Sequence, residues 1–361
     1  MIFWIPVAVL YFQYRGLSLS QMYWIVSLQS LLVVVLEYPT GVIGDYFGHK
    51  TSVFWGYIFT GLGLMLVSLN LPFWGYCLVF SLTSLGGALT SGSDIALLYS
   101  VSKDFKKDSA WIGSVTGIIF PVTVALSGII GRWSLPITFF LSGATTIASA
   151  VFIFFIKHKV VKKKKGNIFS TAKKGLIEVN TNRNVSFIIY SSAVILMYGL
   201  SQKWIITPSF ERINIGVEYY GLIFAALSLV MGQAGQIYKR VGHIKEWILL
   251  LVCFIASVLV VFKFISIPMI FIIYLIFGYY KFQSDIVINK FIEGSVRASA
   301  LSYRSLIAKL LEFGFIAIVG VLVLKLSFEY ATIVISIIIG LLILLSYILP
   351  FLIRKKQVKL V

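Results

Sequence analysis

Asp94, Lys281, Asp285, Lys309 and Glu312 lie inside apolar stretches of this 361-residue chain. An ionised group there costs about 3 kcal/mol unless it is paired or used, so each is a candidate for function. Glu312 falls about 12 residues, or roughly 18 Å of helix, from one end of its stretch, near the middle. A carboxyl at that depth can exchange a proton or meet a bound molecule; its other reading is an ion pair with Lys309, three residues earlier on the same helix face. Lys281 and Asp285 are four residues apart and share a face, with Tyr280 and Ser284 beside them. They can neutralise one another or contact a ligand. Asp94 has no opposite charge within four residues, so it needs a distant partner or a proton. Lys203 and Arg304 are placed to extend toward an interface.

The elements that hold these groups follow from composition. Hydrophobic residues make up 59%, charged residues only 12%, and mean hydropathy is +0.96. A soluble domain carries about 25% charged residues, so this chain is expected to live in a membrane. Apolar runs of roughly 20 residues, each able to cross about 30 Å of hydrocarbon, recur without the alternation of barrel strands. Twelve helical spans are predicted, over 1–14, 20–43, 51–69, 72–99, 110–131, 134–157, 184–207, 217–238, 246–265, 267–292, 301–324 and 327–353. The first is short, about 21 Å, which points to a late or truncated start, and no signal peptide is expected.

A net charge of +18 raises the question of nucleic acid, but its placement answers otherwise. With alternate loops taken as one side, most Lys and Arg fall together, which puts both termini in the cytoplasm. The densest block, Lys162 to Lys165, suits anionic lipid headgroups and lacks the interleaved aromatics of a nucleic-acid surface. Cys77 and Cys253 read as core filler, and His49, His158 and His243 form no metal constellation. Gly44 to Lys50 has the wrong interval for a phosphate loop. No cofactor, metal or enzyme activity is expected.

The chain is built twice. The basic loop divides it into a six-helix half over 1–157, a linker over 158–183, a second half over 184–353 and a basic tail over 354–361. A shift of 191 residues lays Gly41 on Gly232, Gly44 on Gly235, and Ser93-Asp94-Ile95 on Ser284-Asp285-Ile286. Gly48-His49 has a counterpart, three residues out of step, in Gly242-His243. Six spans per half make the repeats parallel, related by an axis along the membrane normal.

These residues carry a resemblance. Gly41 to Lys50, reading GVIGDYFGHK, resembles the loop between the second and third spans of the major facilitator superfamily, and Glu37-Tyr38-Pro39-Thr40 resembles its lead-in. Ser91 to Ser100 and Ile288 to Leu306 resemble the fourth span and the tenth–eleventh junction of bacterial members. The resemblance covers almost the whole chain. It implies an all-α membrane fold of two pseudo-symmetric six-helix bundles around a central cavity, lined by the first, fourth, seventh and tenth spans. It also implies that Gly41, Gly44, Asp45, Gly48, His49 and Lys50 form a gating loop, with Glu37 and Ser100 as gate support. Bracing by Glu37, about 10 Å inside its helix end, fits that role.

The chain departs from the family at three positions. Tyr46 and His49 stand where arginines are usual, and Ser100 where an acid is usual. Loss of both partners reads as a weakened cytoplasmic latch or as drift in a solvated loop. The fifth span carries Gly113, Gly117, Pro121, Gly128 and Gly131, a partial match to the antiporter pattern; close packing explains such residues equally. Trp4, Tyr11, Tyr14, Tyr190, Tyr198 and Trp204 can form a ring-faced site or an interfacial belt. The resemblance implies a monomeric secondary-active transporter of the bacterial cytoplasmic membrane, exporting a small amphipathic solute against protons. Solute uptake, and a non-transporting sensor or immunity protein, are the competing readings.

Overall fold

The computed structural model describes residues 2–156, 183–291, 294–326, 330–342 and 345. The Lys162–Lys165 block, nearly all of the linker, and the tail lie outside the described residues, as does the Asp45 side chain. The described chain is helical. A 3-10 turn, Ile5–Val7, leads into α1 (Ala8–Tyr14), followed by α2 (Leu19–Phe47), α3 (His49–Val67), α4 (Phe73–Thr90), α5 (Ser93–Val101), α6 (Phe105–Trp133) and α7 (Leu135–Phe155). Then come α8 (Arg183–Arg212), α9 (Val217–Gly232), α10 (Ala234–Val241), α11 (Glu246–Leu259), α12 (Ser266–Phe291) and α13 (Gly294–Lys325), with a last described helix α14 (Tyr330–Leu342).

Among the described residues eight helices are long and apolar enough to cross a membrane, and Ile5–Tyr14, Glu246–Leu259 and Tyr330–Leu342 are shorter apolar helices. With α8 they occupy the twelve predicted positions. Helix α8 is the polar one: Ser186, Ser191, Ser192, Ser201, Gln202, Thr207 and Ser209 are all buried along it. Several predicted spans differ in detail. The fourth is interrupted at Ser91-Gly92, the eighth at Gln233, and the ninth ends as helix at Leu259 instead of running to 265.

The chain falls into two compact units. The first comprises Met1–Lys162, Lys203–Leu229 and Phe313–Leu324. Its helices start at local signals, such as the capping box in which Ser18 accepts from the Gln21 amide and the Gln21 side chain accepts from the Ser18 amide. Helix α3 packs on α4 and α7 through glycines. A Cβ at Gly143 would lie 2.5 Å from the Gly61 carbonyl oxygen, and one at Gly86 would lie 2.6 Å from that of Gly56. Without a water-driven hydrophobic effect, such backbone approach is what membrane helices gain from small residues. The same unit holds the Gly128–Gly221 crossing of α6 and α9 and the Tyr23 hydroxyl donating to the Trp204 carbonyl at 3.2 Å.

The second unit comprises Lys163–Gln202, Val230–Glu312 and Lys325–Val361. There α12 packs on α10 and α11, and Gly278 sits where a Cβ would lie 2.8 Å from the Met231 carbonyl. Tyr198 and Ser257 hydroxyls meet at 2.6 Å between α8 and α11. Cys77 and Cys253 are both buried and free.

Candidate functional site

The interruption of the fourth span gathers several residues of the expected gating loop and its lead-in within the first unit. Ser91 turns extended (ψ 117°) and Gly92 takes φ +74°, a left-handed conformation that glycine adopts without cost. In an unbroken helix the Ala88 and Leu89 carbonyls would accept from the amides four residues on. Here they accept from Thr40 Oγ1 at 3.0 Å and Ser52 Oγ at 2.7 Å, so neighbouring helices satisfy the freed backbone. Glu37 takes part as well, its Oε1 accepting from Ser91 Oγ at 3.0 Å. Gly44 is pressed against the same point, where a Cβ would fall 2.9 Å from Ser93 Oγ. Asp94 is exposed in the first turn of α5 and accepts from the Ile95 amide at 2.7 Å.

The rest of the loop is used differently. Gly48 has φ +92° between α2 and α3, and Gly41 faces open space. Lys50 donates to the Phe154 and Ile156 carbonyls at 2.7 and 2.6 Å, capping the C-terminus of α7 where a cation complements the helix dipole. His49 is half-buried at the start of α3, Tyr46 is exposed, and Ser100 donates to the Leu97 carbonyl of its own helix.

In the second unit the corresponding loop is clamped. Gly242 has φ +82°, and its carbonyl accepts from the Tyr279 hydroxyl of α12. Gln283, 1% exposed, donates from Nε2 to the Ile244 carbonyl at 2.7 Å and accepts at Oε1 from the Ile244 amide at 3.2 Å. Under the 191-residue shift Gln283 stands where the first half has Gly92. One half therefore pins its loop to a continuous helix, and the other breaks the helix at the same register. The sequence signal for Gln283 was present: a neutral amide in an apolar span, next to the repeated Ser-Asp-Ile.

The buried charges are paired, but not all as expected. Asp285 takes Arg304, with Nη1 2.7 Å from Oδ1, and Lys281 is exposed. Arg304 does not reach an interface; it is 6% exposed and its Nη1 also approaches Ser284 Oγ at 3.4 Å. Helix α13 begins at Gly294, so Arg304 sits ten residues inside it rather than near its end. Lys309 and Glu312 lie 3.8 Å apart, with Glu312 4% exposed. Tyr303, next to Arg304 in the chain, meets the Tyr190 hydroxyl at 3.2 Å, and Tyr280, one turn before Ser284, donates to Ser191 at 2.7 Å.

The far end of α8 belongs to the first unit. Lys203 lies over the Trp4 and Trp204 rings at 5.7 and 5.3 Å, so its ammonium rests on indole faces. Trp4 stacks on Phe139, and Tyr11 is fully buried with its hydroxyl donating to the Val67 carbonyl, whereas Tyr14 is exposed. Gln13 donates to Glu211 at 3.1 Å, a contact that sequence spacing could not suggest. Of the fifth-span glycines, Gly113 and Gly117 face open space, and Gly128 is pressed against α9. Among the described residues no group of three His, Cys, Asp or Glu side chains is placed to hold a metal.

Comparison with known proteins agrees with this geometry. A family model described as Major Facilitator Superfamily matches residues 1–284. A curated relative, an uncharacterized transporter of Buchnera aphidicola subsp. Schizaphis graminum (strain Sg), is 25% identical over 207 residues, covering 54% of this chain and 50% of its own length. The chain thus spans about half the length of that relative. Among solved structures, the nucleoside transporter NupG superposes with a TM-score of 0.75 at 13% identity, covering 97% of this chain and 95% of that one. A bacterial homolog of the human lysosomal transporter Spinster, inward-facing and unoccupied, gives 0.73 at 13% identity over 99% and 94%. These likenesses establish the fold. The chain belongs to the Major Facilitator Superfamily and is an integral membrane protein.

Proposed function

We propose that the chain is a monomeric secondary-active carrier of the bacterial cytoplasmic membrane, with both termini inside, exporting a small amphipathic solute in exchange for protons. Residues 1–157 and 184–353 act as two rocking halves joined by the linker 158–183, whose lysines contact anionic lipid. The observation that supports proton coupling is Glu312, a carboxyl 4% exposed in the middle of α13 and facing one ammonium at 3.8 Å. Such a group can be neutral in one state of the cycle and ionised in another, and a ligand drives exchange only if it prefers one of those states. Asp285, Asp94 and Lys281 are the further candidates. Energised inverted vesicles test direction: export loads them with solute, and uptake, the competing reading, leaves them empty.

The unequal loops support an asymmetric cytoplasmic gate. The first-half loop, with His49 and Ser100 in place of an arginine–acid pair, is the weaker side. Restoring that pair as His49→Arg/Ser100→Asp should shift the population toward the state closed on the cytoplasmic side, read as lower labelling of a cytoplasmic-facing single cysteine. Unchanged labelling would discard the latch. On the other side, Gln283→Ala removes both bonds to the Ile244 backbone and leaves a half-buried amide and carbonyl unserved, at up to about 1–3 kcal/mol. Amide exchange across 241–246 should accelerate at least tenfold while α3 and α7 keep their protection.

A further inference from the structure

We infer that Arg304 anchors the acidic group of an anionic, amphipathic solute, with Asp285 as the resident counter-ion that this solute displaces. The inference rests on the transport reading above and adds its substrate class. Three observations carry it. Arg304 is 6% exposed, yet its Nε is buried with no acceptor among the described residues. A guanidinium presents five donors in a planar fork suited to two carboxylate oxygens, so a buried one with an idle donor is under-served.

The second observation is the quality of the Asp285 contact. Oδ1 lies 2.7 Å from Nη1, but the approach does not meet hydrogen-bond geometry, leaving Oδ1 without a hydrogen bond. The Asp285 side chain is also 37% exposed, in contrast to its partner. The exposed part of the Asp285 side chain leaves it room to swing aside, whereas Arg304 is enclosed. The pair is therefore built to change its anion and keep its cation.

The third observation is a charge imbalance. The apolar segments Ser266–Ile288 and Tyr303–Lys325 carry Lys281, Arg304 and Lys309 against Asp285 and Glu312, apart from the terminal Lys325. One positive charge is in excess, and it belongs to Lys281, one helical turn from Asp285. A monoanionic solute supplies the missing charge. The hydroxyl pairs Tyr190–Tyr303 and Tyr280–Ser191, from α8, α12 and α13, offer polar contacts and ring faces for the rest of an amphipathic body.

The test uses the full chain in phosphatidylcholine nanodiscs and three dansyl probes of one body and three charges: dansylglycine (anion), dansylglycinamide (neutral) and dansylcadaverine (cation). Dansylglycine should bind saturably and at least tenfold more tightly than either other probe. Arg304→Gln should weaken it at least tenfold, with Arg304→Lys intermediate. Asp285→Asn, which removes the competing anion and leaves the cation, should tighten it at least threefold, a gain that a structural role for Asp285 does not produce. Adding phosphatidylglycerol separates the sources of the anion: competition shows that a lipid headgroup reaches the same guanidinium, and its absence shows a site for free solute; both uphold the anion site. Equal binding of the three probes, no saturable dansylglycine binding, or weaker binding in Asp285→Asn overturns the proposal. The transport reading stands or falls separately, on whether a single-cysteine variant is labelled alternately from the two faces.

Discussion

Gly128→Leu is expected to reduce transport on the order of 100-fold while the purified protein stays folded. A Cβ at Gly128 would lie 2.7 Å from the Glu218 carbonyl and 2.9 Å from the Gly221 amide, and one at Gly221 would lie 2.5 Å from the Val124 carbonyl. All of these neighbours are backbone, so no side chain can swing aside. Overpacking of that kind costs about 1–3 kcal/mol, and 2.7 kcal/mol corresponds to about two decades in a population. The penalty falls on whichever state brings α6 and α9 together. A carrier that alternates must also visit states in which helices of its two halves part, and there leucine fits. Two controls give the prediction its edge. Gly117→Leu, about three turns away on the same helix and facing open space, should transport normally. Gly86→Leu, between α3 and α4 within one half, should not fold, because its Cβ would lie 2.5 Å from the Thr60 amide in an interface that rocking of the halves leaves intact. Wild-type transport in a folded Gly128→Leu protein would remove the crossing from the gate.

What the sequence made legible was whatever depends on amount and repetition. The apolar runs placed twelve segments, and the repeat of Ser-Asp-Ile put Asp94 on α5, in the fourth segment, and Asp285 on α12, in the tenth. What it hid depends on competition between neighbours. Gly92 sits in an apolar run where a glycine is tolerated; only the waiting hydroxyls of Thr40 and Ser52, on other helices, make a break there affordable. Lys281 and Asp285 share a helix face, yet a guanidinium from α13 takes the carboxylate and the lysine remains exposed. That misreading had one source: the apolar run begins near residue 301, but the helix begins at Gly294, which moves Arg304 from an end into the interior. Helix α8 shows the reverse case. Its serines and glutamine keep it below the apolarity of a spanning helix by composition, and they are buried all the same. A polar stripe on one helix can bond within the bundle, as Ser191 and Tyr198 do, and hydropathy does not count partners.

Glu312→Gln is expected to abolish proton-driven accumulation while leaving solute exchange intact. Glutamine keeps the size and much of the hydrogen bonding of the glutamate and loses only the ability to ionise. In a coupled carrier the proton must leave for the empty protein to return, so a permanently neutral group stalls net transport. Exchange of solute for solute needs no such return. Accumulation against a gradient should therefore fall at least 100-fold, and counterflow of labelled for unlabelled solute should stay within about threefold of wild type. The ion-pair reading predicts otherwise. Glu312 is 4% exposed and faces Lys309 at 3.8 Å, so removing its charge alone leaves a half-buried ammonium without its partner. Breaking such a pair costs about 3–5 kcal/mol, whereas replacing both partners by neutral groups is often nearly neutral. If the pair is structural, Glu312→Gln lowers the melting temperature and impairs both assays, and Lys309→Met/Glu312→Gln restores them together. If Glu312 carries the proton, the double variant keeps counterflow, like the single variant, and still cannot accumulate solute. Recovery of accumulation in that double variant would exclude Glu312 as the coupling group.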